Sequence, residues 1–91
     1  MIGSFRDRRT AAIFRGLRVR DLQEDMQRRA QGKLLLLDAA RDLGDLAANP
    51  GNRLEKLAGT ETWSIRINRQ WRITFRWVEG AAEDVQVTDY H

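Results

Sequence analysis

The first half of the chain carries its apolar residues at helical spacing. Residues 8–17 predict a short helix whose apolar residues are at positions 11–14. Across residues 21–48 apolar side chains recur every three or four positions, which predicts helices with one buried side. Asp21, followed by Glu24 three positions later, predicts a helix start with capping-box spacing. Gly32 either divides the long stretch into two helices or weakens a single one. The predicted apolar stripe is Leu22, Met26, Ala30, Leu34 and Leu37, extended by Leu36, Ala40, Leu43 and Ala47.

The second half follows a turn at residues 49–52 and a connector at residues 53–62, and there the period changes to two. Apolar and polar residues alternate across residues 63–68, 71–78 and 85–90. Strict alternation is typical of half-buried strands, and the short segments between these three predict tight turns. The second half therefore predicts an antiparallel meander.

The order of the elements predicts an α+β domain, in which N-terminal helices pack on one face of a small, mainly antiparallel sheet. Residues 2–6 alternate loosely and add a short first strand. The 91 residues form a single domain, 1–91, which buries a limited core. The chain has no cysteine and one histidine, which removes disulfides and argues against a metal site. We expect a protein partner to stabilise the fold.

Alternation also assigns the strand side chains to two faces, since residues two apart point the same way. The polar face carries three arginines and no carboxylate among its eight positions, which favours an anionic partner such as an RNA backbone. An ordinary solvated sheet face is the alternative. The helix-facing set is Trp63, Ile65, Ile67, Trp71, Ile73, Phe75, Trp77, Val85 and Val87. The polar set is Ser64, Arg66, Arg72, Thr74, Arg76, Gln86, Thr88 and Tyr90.

The charge of the chain is modest, but its basic residues are unevenly chosen. The net charge is +3, and all of the 16 cations except Lys33 and Lys56 are arginine. Arginine pairs bidentately with phosphate, although a GC-rich genome also raises the arginine content. No apolar signal core opens the chain, and the longest apolar run, residues 34–37, is too short to cross a bilayer. We expect a cytoplasmic protein without membrane attachment.

The last three residues combine groups suited to proton transfer. His91 titrates near neutral pH when unperturbed, Tyr90 stacks on a base or moves a proton, and Asp89 orients or stabilises the imidazole. A solvated chain end is the alternative explanation.

Several segments resemble the HigB branch of the RelE/ParE toxin superfamily, and the similarity runs nearly end to end. The most specific are the strand motif at residues 64–75, Ser-Ile-Arg-Ile-Asn-Arg-Gln-Trp-Arg-Ile-Thr-Phe, and the terminal Asp89-Tyr90-His91. Residues 1–5 and the connector at residues 51–59 are similar as well. The resemblance implies a RelE-like fold.

The resemblance also implies an activity. Members of this branch are ribosome-dependent endoribonucleases in which the RNA 2′-hydroxyl attacks the adjacent phosphate and leaves a 2′,3′-cyclic phosphate, with no metal or cofactor. Arg72 then clamps the phosphate, His91 transfers protons, Tyr90 stacks or assists, and Asp89 supports. The implied partners are a HigA-type helix-turn-helix antitoxin and mRNA on the ribosome, with operator DNA reached only through the antitoxin.

The connector departs from the pattern of some relatives. Glu55 and Ala58 stand where those relatives have a histidine and a lysine, so the division of the acid and base roles stays open. Ordinary loop solvation remains an alternative for the two basic residues of the connector. The residues expected to contact the RNA backbone are Arg53, Lys56, Arg66 and Arg76.

Three other functions remain open at this point. One alternative is a non-catalytic toxin that binds a target such as gyrase, as the ParE branch does. Another is an RNA- or ribosome-binding module that only binds phosphates. A third is a degenerate toxin retained for partner binding. New RNA 5′ ends in the presence of the protein would distinguish a nuclease from all three.

Overall fold

The structure, a computed structural model, describes residues 1–89. Helices come first in this part of the chain and a four-stranded sheet follows, with neighbouring strands antiparallel in the order β1-β2-β3-β4. The predicted α+β architecture is confirmed and is consistent with a RelE-like toxin. The helices are α1 (Arg8–Phe14), α2 (Glu24–Ala39) and α3 (Leu43–Ala47), and the strands are β1 (Glu55–Lys56), β2 (Thr62–Arg66), β3 (Trp71–Val78) and β4 (Ala81–Asp89).

Helix α2 supplies most of the helical side of the core. Met26, Ala30, Leu34 and Leu37 are buried, as their spacing predicts. The helix runs through Gly32 without a break, because packing of its apolar side outweighs the low helix propensity of one glycine. The predicted extension of the stripe is partly wrong: Ala40 is buried, but Leu36 is 48% exposed, Ala47 is exposed, and Leu46 is buried in its place.

The predicted start of α2 is wrong. Asp21 does not cap the helix, since α2 begins at Glu24 after Gln23, whose side chain makes no capping bond. Asp21 instead adopts a left-handed conformation with φ of 68° in the preceding loop. The Gln27 side chain holds that loop by exchanging hydrogen bonds of 2.9 and 3.0 Å with the Val19 backbone. A capping box does occur later in the chain, where Asp42 and Asp45 form it at the start of α3.

Strand β4 begins at Ala81, earlier than predicted, because Glu79 and Gly80 alone form the turn, both with positive φ. The register with β3 then slips by one residue, so that Phe75 faces both Asp84 and Val85. This β-bulge places Asp84 at a φ of 54° and turns its side chain toward the polar side.

The N-terminal segment covers the outer edge of β4. Ile2 and Phe5 form isolated parallel bridges with Ala82 and Val85, in place of the predicted first strand. The Ser4 hydroxyl accepts a hydrogen bond of 2.9 Å from the Asp84 amide, so the bulge is fixed from outside the sheet.

The core lies between α1, α2 and the helix-facing side of the sheet. The predicted helix-facing residues are confirmed, with the three tryptophans only half-buried at its margins. The fully covered members are Ile65, Ile67, Ile73, Phe75, Val85 and Val87.

Candidate functional site

The strand register brings two arginines together on the polar face. Arg66 of β2 lies directly opposite Arg72 of β3, and Thr88 of β4 lies on the other side of Arg72. In the next row, β1 places Glu55 opposite Ser64. Directly opposed residues of antiparallel strands project from the same face, so the short β1 strand adds a carboxylate to the arginine face.

Arg72 is enclosed by its neighbours, and its side chain is only 12% exposed. Nη1 donates a hydrogen bond of 3.1 Å to the Ser64 hydroxyl and a longer one of 3.5 Å to the Arg53 carbonyl. Nη2 lies 3.7 Å from the Glu55 carboxylate. The guanidinium plane is therefore oriented from two sides, which fixes the direction of its donors before any ligand arrives.

Two expectations about this face are wrong. Ser64 is fully buried, where alternation predicted a solvent-facing side chain, and its hydroxyl accepts a hydrogen bond from Arg72 while β1 pairs beside it. The face also does not lack carboxylates: Glu55 approaches from the connector, and Asp84 approaches from the bulge. The like charges predicted to need an external anion are thus partly compensated within the protein.

The two other arginines of the face differ in their partners. Arg66 is half-buried, and its Nε donates a hydrogen bond of 3.0 Å to the Asn68 carbonyl. Arg76 lies four residues beyond Arg72, roughly 13 Å along the strand at the usual rise. Its Nε makes an ion pair of 2.9 Å with Asp84, and about half of each side chain is exposed. Arg66 and Arg72 form the cationic pair, and Arg76 stands apart.

The connector residues expected at the RNA backbone fall on different sides. Arg53 is exposed, has left-handed backbone with φ of 45°, and directs its carbonyl toward Arg72. Lys56 is opposite Trp63, which belongs to the helix-facing side, and its Nζ lies 4.0 Å from Glu61. The structure brings Arg53 next to Arg72 but does not bring Lys56 to the arginine face.

The expected catalytic residues of the chain end are only partly described. Asp89 closes β4 opposite Trp71, and its carboxylate accepts a hydrogen bond of 3.0 Å from Gln70. This register places Asp89 at the end of the sheet beside Arg72's row, on the helix-facing side. Tyr90 and His91 lie outside the described residues.

Asp7 anchors α1 to the polar side of β4. Its carboxylate accepts a hydrogen bond of 2.8 Å from the Thr10 amide and one of 3.2 Å from the Gln86 side chain. Partial burial alone would raise the pKa of Asp7, but the Thr10 and Gln86 hydrogen bonds, together with the nearby Arg9 charge, outweigh it and lower the pKa below its usual value. The folded protein therefore stabilises the ionised form of the Asp7 carboxyl.

Metal-binding clusters and membrane-spanning helices are both absent between Met1 and Asp89. No group of three Asp, Glu or His side chains there is close enough to hold a metal ion. No helix in the same span combines the length and the apolar character needed to cross a membrane.

Sequence reasoning missed the two carboxylates that meet the arginines. Glu55 lies in a strand of two residues, too short to show a period. Asp84 reaches Arg76 because of a bulge, and a bulge leaves no mark on an alternating pattern. A weak signal for Glu55 was its place in the connector between two basic residues, Arg53 and Lys56.

Comparisons with known proteins show which family the chain is similar to. A protein named Toxin HigB-1, from Vibrio cholerae, is 52% identical over 55% of this chain, and the match spans about half of that relative's length, 55%. A protein named Endoribonuclease HigB, from Proteus vulgaris, is 31% identical over the full length of both chains. The family model described as "RelE-like toxin of type II toxin-antitoxin system HigB" matches residues 3–91. The chain belongs to the HigB-like toxin family.

Proposed function

We propose that the protein is the endoribonuclease of a type II toxin–antitoxin system and that it cleaves mRNA on the ribosome. The observation that carries this proposal is the guanidinium of Arg72, paired across the strands with Arg66 and held by Ser64 on a sheet face. A full-length match to a protein named Endoribonuclease HigB supports the same activity.

The proposed reaction is a transesterification of the RNA backbone. The 2′-hydroxyl attacks the adjacent phosphorus and the bond to the 5′-oxygen breaks, which leaves a 2′,3′-cyclic phosphate and a 5′-hydroxyl. Negative charge grows on the phosphate oxygens in the transition state, and a pre-oriented guanidinium stabilises it without reorganisation. Arg72 has this role, and the reaction uses no metal or cofactor.

The chain end supplies the proton chemistry in this proposal. His91 is assigned the proton transfer, because imidazole is the side chain best suited to general acid–base catalysis at neutral pH. Tyr90 stacks on a base or assists, and Asp89 supports from the end of β4. The backbone contacts are assigned to Arg66 and Arg53, with weaker contributions from Arg76, which is engaged by Asp84, and from Lys56.

We expect dependence on the ribosome because the proposed RNA face should bind free RNA weakly. The net charge is +3, and two carboxylates lie close to arginines on the proposed RNA face. Affinity for free nucleic acid comes largely from neutralised phosphates, so this face is a weak trap for RNA in solution. A ribosome that holds mRNA in place supplies the positioning that the protein lacks.

The proposed partner is a HigA-type helix-turn-helix antitoxin, since the family is described as toxins of type II toxin–antitoxin systems. Operator DNA is bound only through that antitoxin, and the site of action is the cytoplasm, where ribosomes translate mRNA.

Primer extension on an mRNA incubated with purified protein, with and without translating ribosomes, tests the proposal. We expect new 5′ ends only with ribosomes, and a cyclic phosphate on the upstream fragment. Growth arrest without new ends would favour a non-catalytic toxin. Binding without either effect would favour an RNA-binding module or a degenerate toxin.

A further inference from the structure

The outer side of α2 changes character halfway along the helix. Its first half carries exposed charged residues, which are Glu24, Asp25, Arg28 and Arg29. Its second half presents an uncharged stripe whose four members are all exposed, Gly32, Leu35, Leu36 and Ala39. Leu35 and Leu36 are 51% and 48% exposed, although leucine is among the residues most often buried. The fold therefore leaves one apolar surface, the α2 stripe, uncovered over about two turns of helix.

Grooves flank the α2 stripe on both sides of Leu36. One groove is lined by Leu36 and Ile67, which follows β2, and the other by Leu36 and Leu46 of α3. Ile67 and Leu46 both belong to the core, so each groove has an apolar wall on the side away from α2. A ridge between two grooves is the surface that a second helix covers when its own side chains fill the grooves.

Gly32 weakens α2 without a need for glycine inside the chain. Glycine in the middle of a helix is less favourable than alanine. The backbone of Gly32 does not have the positive φ that favours glycine. A Cβ atom placed on it would meet no atom within 4 Å, apart from its own helix backbone and chain neighbours. A position without a side chain on an exposed helix face does allow another backbone to approach closely, so Gly32 fits a surface that a partner covers.

Arg29 places an uncompensated charge beside the α2 stripe, where it lines the same groove as Leu36. Within residues 1–89 its guanidinium has no hydrogen-bond acceptor, carboxylate or aromatic ring as a partner. The neighbouring Arg28, by contrast, lies 3.7 Å from Asp25. An arginine next to an apolar contact is a residue type enriched at protein interfaces. The complementary surface is therefore apolar over the leucines and acidic opposite Arg29.

We propose that the α2 stripe binds the antitoxin. The antitoxin presents an amphipathic helix whose apolar residues cover Leu35 and Leu36, whose backbone passes close to Gly32, and whose carboxylate pairs with Arg29. The identity of the partner rests on the proposed function, since the family is described as toxins of type II toxin–antitoxin systems.

The charges around the α2 stripe favour this partner over a second copy of the chain. The stripe itself contains no carboxylate for Arg29 of another copy. The nearby carboxylates, Asp38 and Asp45, already accept hydrogen bonds of 2.9 and 2.8 Å from backbone amides of their own chain. RNA offers anions for Arg29 but no extended apolar surface to cover two leucines.

Three variants change the α2 stripe, and two control variants change similar residues elsewhere. Gly32→Gln blocks close approach, Leu36→Gln removes an apolar anchor, and Arg29→Glu reverses the charge. Leu17→Gln is the control for Leu36, because Leu17 is 53% exposed and lies outside α2. Arg8→Glu is the control for Arg29, because Arg8 is exposed at the start of α1. The Kd for the antitoxin encoded beside the toxin gene is measured by calorimetry with each full-length variant.

We expect Leu36→Gln and Arg29→Glu to weaken binding about 10–100-fold, as loss of an interface anchor does. The two controls should stay within about threefold of the wild type, as ordinary surface substitutions do. Gly32→Gln gives the sharpest result, because glutamine is the better helix former. Its melting temperature should rise while its affinity for the antitoxin falls, and a residue with only a structural role would not separate the two. All five variants should cleave ribosome-bound mRNA like the wild type when no antitoxin is present.

Four results would overturn the proposal. Unchanged affinity of all three stripe variants would place the antitoxin elsewhere on the toxin. A toxin that is dimeric by itself in light scattering, and monomeric as Leu36→Gln, would assign the α2 stripe to a second copy. Loss of mRNA cleavage with antitoxin binding retained would assign it to the ribosome. If the wild-type toxin does not bind the antitoxin at all, the proposed partner is wrong, and that result is distinct from a failure at the stripe.

Discussion

The two ends of β3 carry the same residue type on the same face and use it differently. At the Arg72 end, defined by Arg66, Arg72, Ser64 and Glu55, the Arg72 side chain is 12% exposed, donates a hydrogen bond to the Ser64 hydroxyl and lies 3.7 Å from the Glu55 carboxylate. At the bulge end, defined by Arg76, Asp84 and Ser4, the arginine makes a direct ion pair of 2.9 Å. Nε of Arg76 meets Asp84 at 2.9 Å, whereas Nη2 of Arg72 lies 3.7 Å from Glu55, so the closer ion pair at the bulge end competes more strongly with a phosphate.

The comparison also separates stability from function. The bulge end is fixed by the N-terminal segment, where Ser4 donates a hydrogen bond of 3.1 Å to Glu83 and accepts one of 2.9 Å from the Asp84 amide. The Arg72 end adjoins the close of β4 at Asp89. We therefore expect changes at the bulge end to affect folding, and changes at the Arg72 end to affect cleavage.

The largest expected effect comes from removing Tyr90 and His91. Cleavage should be abolished, because the single histidine of the chain goes with them. Folding should survive, since Val85 and Val87, the buried residues near the end of β4, remain. Primer extension and thermal melting are run on the truncated and intact proteins. Persistent cleavage would move proton transfer elsewhere, and if the truncated protein unfolds, His91→Ala provides the same comparison with the chain length intact.

A matched pair of serines sharpens the comparison. Ser64→Ala removes the hydroxyl that orients Arg72, and one such hydrogen bond is worth ~1.4 kcal/mol, or roughly tenfold in rate. Ser4→Ala removes the corresponding hydroxyl at the bulge end, and should lower stability by a similar amount with cleavage unchanged. Urea unfolding and single-turnover cleavage are measured for both. Equal losses of cleavage would remove the distinction between the two ends.

The architecture could be predicted from the sequence because it depends on long segments with a periodic pattern. The spacing of the apolar residues from Met26 to Leu37 predicted the buried side of α2. The alternation around Phe75 predicted the buried face of the sheet. Sequence reasoning did not reach the helix start, where no side chain caps α2 and Gln27 instead holds the preceding loop through the Val19 and Leu22 carbonyls. Local capping patterns do not encode a side chain that reaches back to a loop.

The candidate site was predicted in part. Arg66 and Arg72 emerged from alternation, and their pairing in register agrees with it. The environment of Arg72 did not, because Ser64 and Glu55 reach it through the pairing of β1 and β2. A two-residue strand gives no periodic signal. The enclosed Arg72 side chain and the buried Ser64 hydroxyl predict that Arg72→Ala lowers stability by ~1–3 kcal/mol.

The smallest expected effect concerns pH. Because the pKa of Asp7 is lowered in the folded protein, its contribution to stability is present above the ordinary carboxyl pKa of about 4, and it is lost as pH falls through the lowered value. Asp7→Asn keeps a capping side chain but has no charge to titrate. The melting temperature of the wild type should exceed that of the variant at neutral pH, and the difference should shrink below about pH 4. A difference that is constant with pH would contradict this.

The central claim is that the Arg72 end of β3 is where RNA is cleaved, and Arg72→Ala compared with Arg76→Ala tests it most directly. Single-turnover cleavage of ribosome-bound mRNA is measured for both, with melting curves to show that each is folded. Loss of a positioned cation at a developing charge costs on the order of 10²–10³ in rate, which we expect for Arg72→Ala. Arg76→Ala loses an exposed ion pair worth ~0–1 kcal/mol and should stay within about threefold of the wild type. A folded Arg72→Ala protein that cuts as fast as Arg76→Ala would contradict the account.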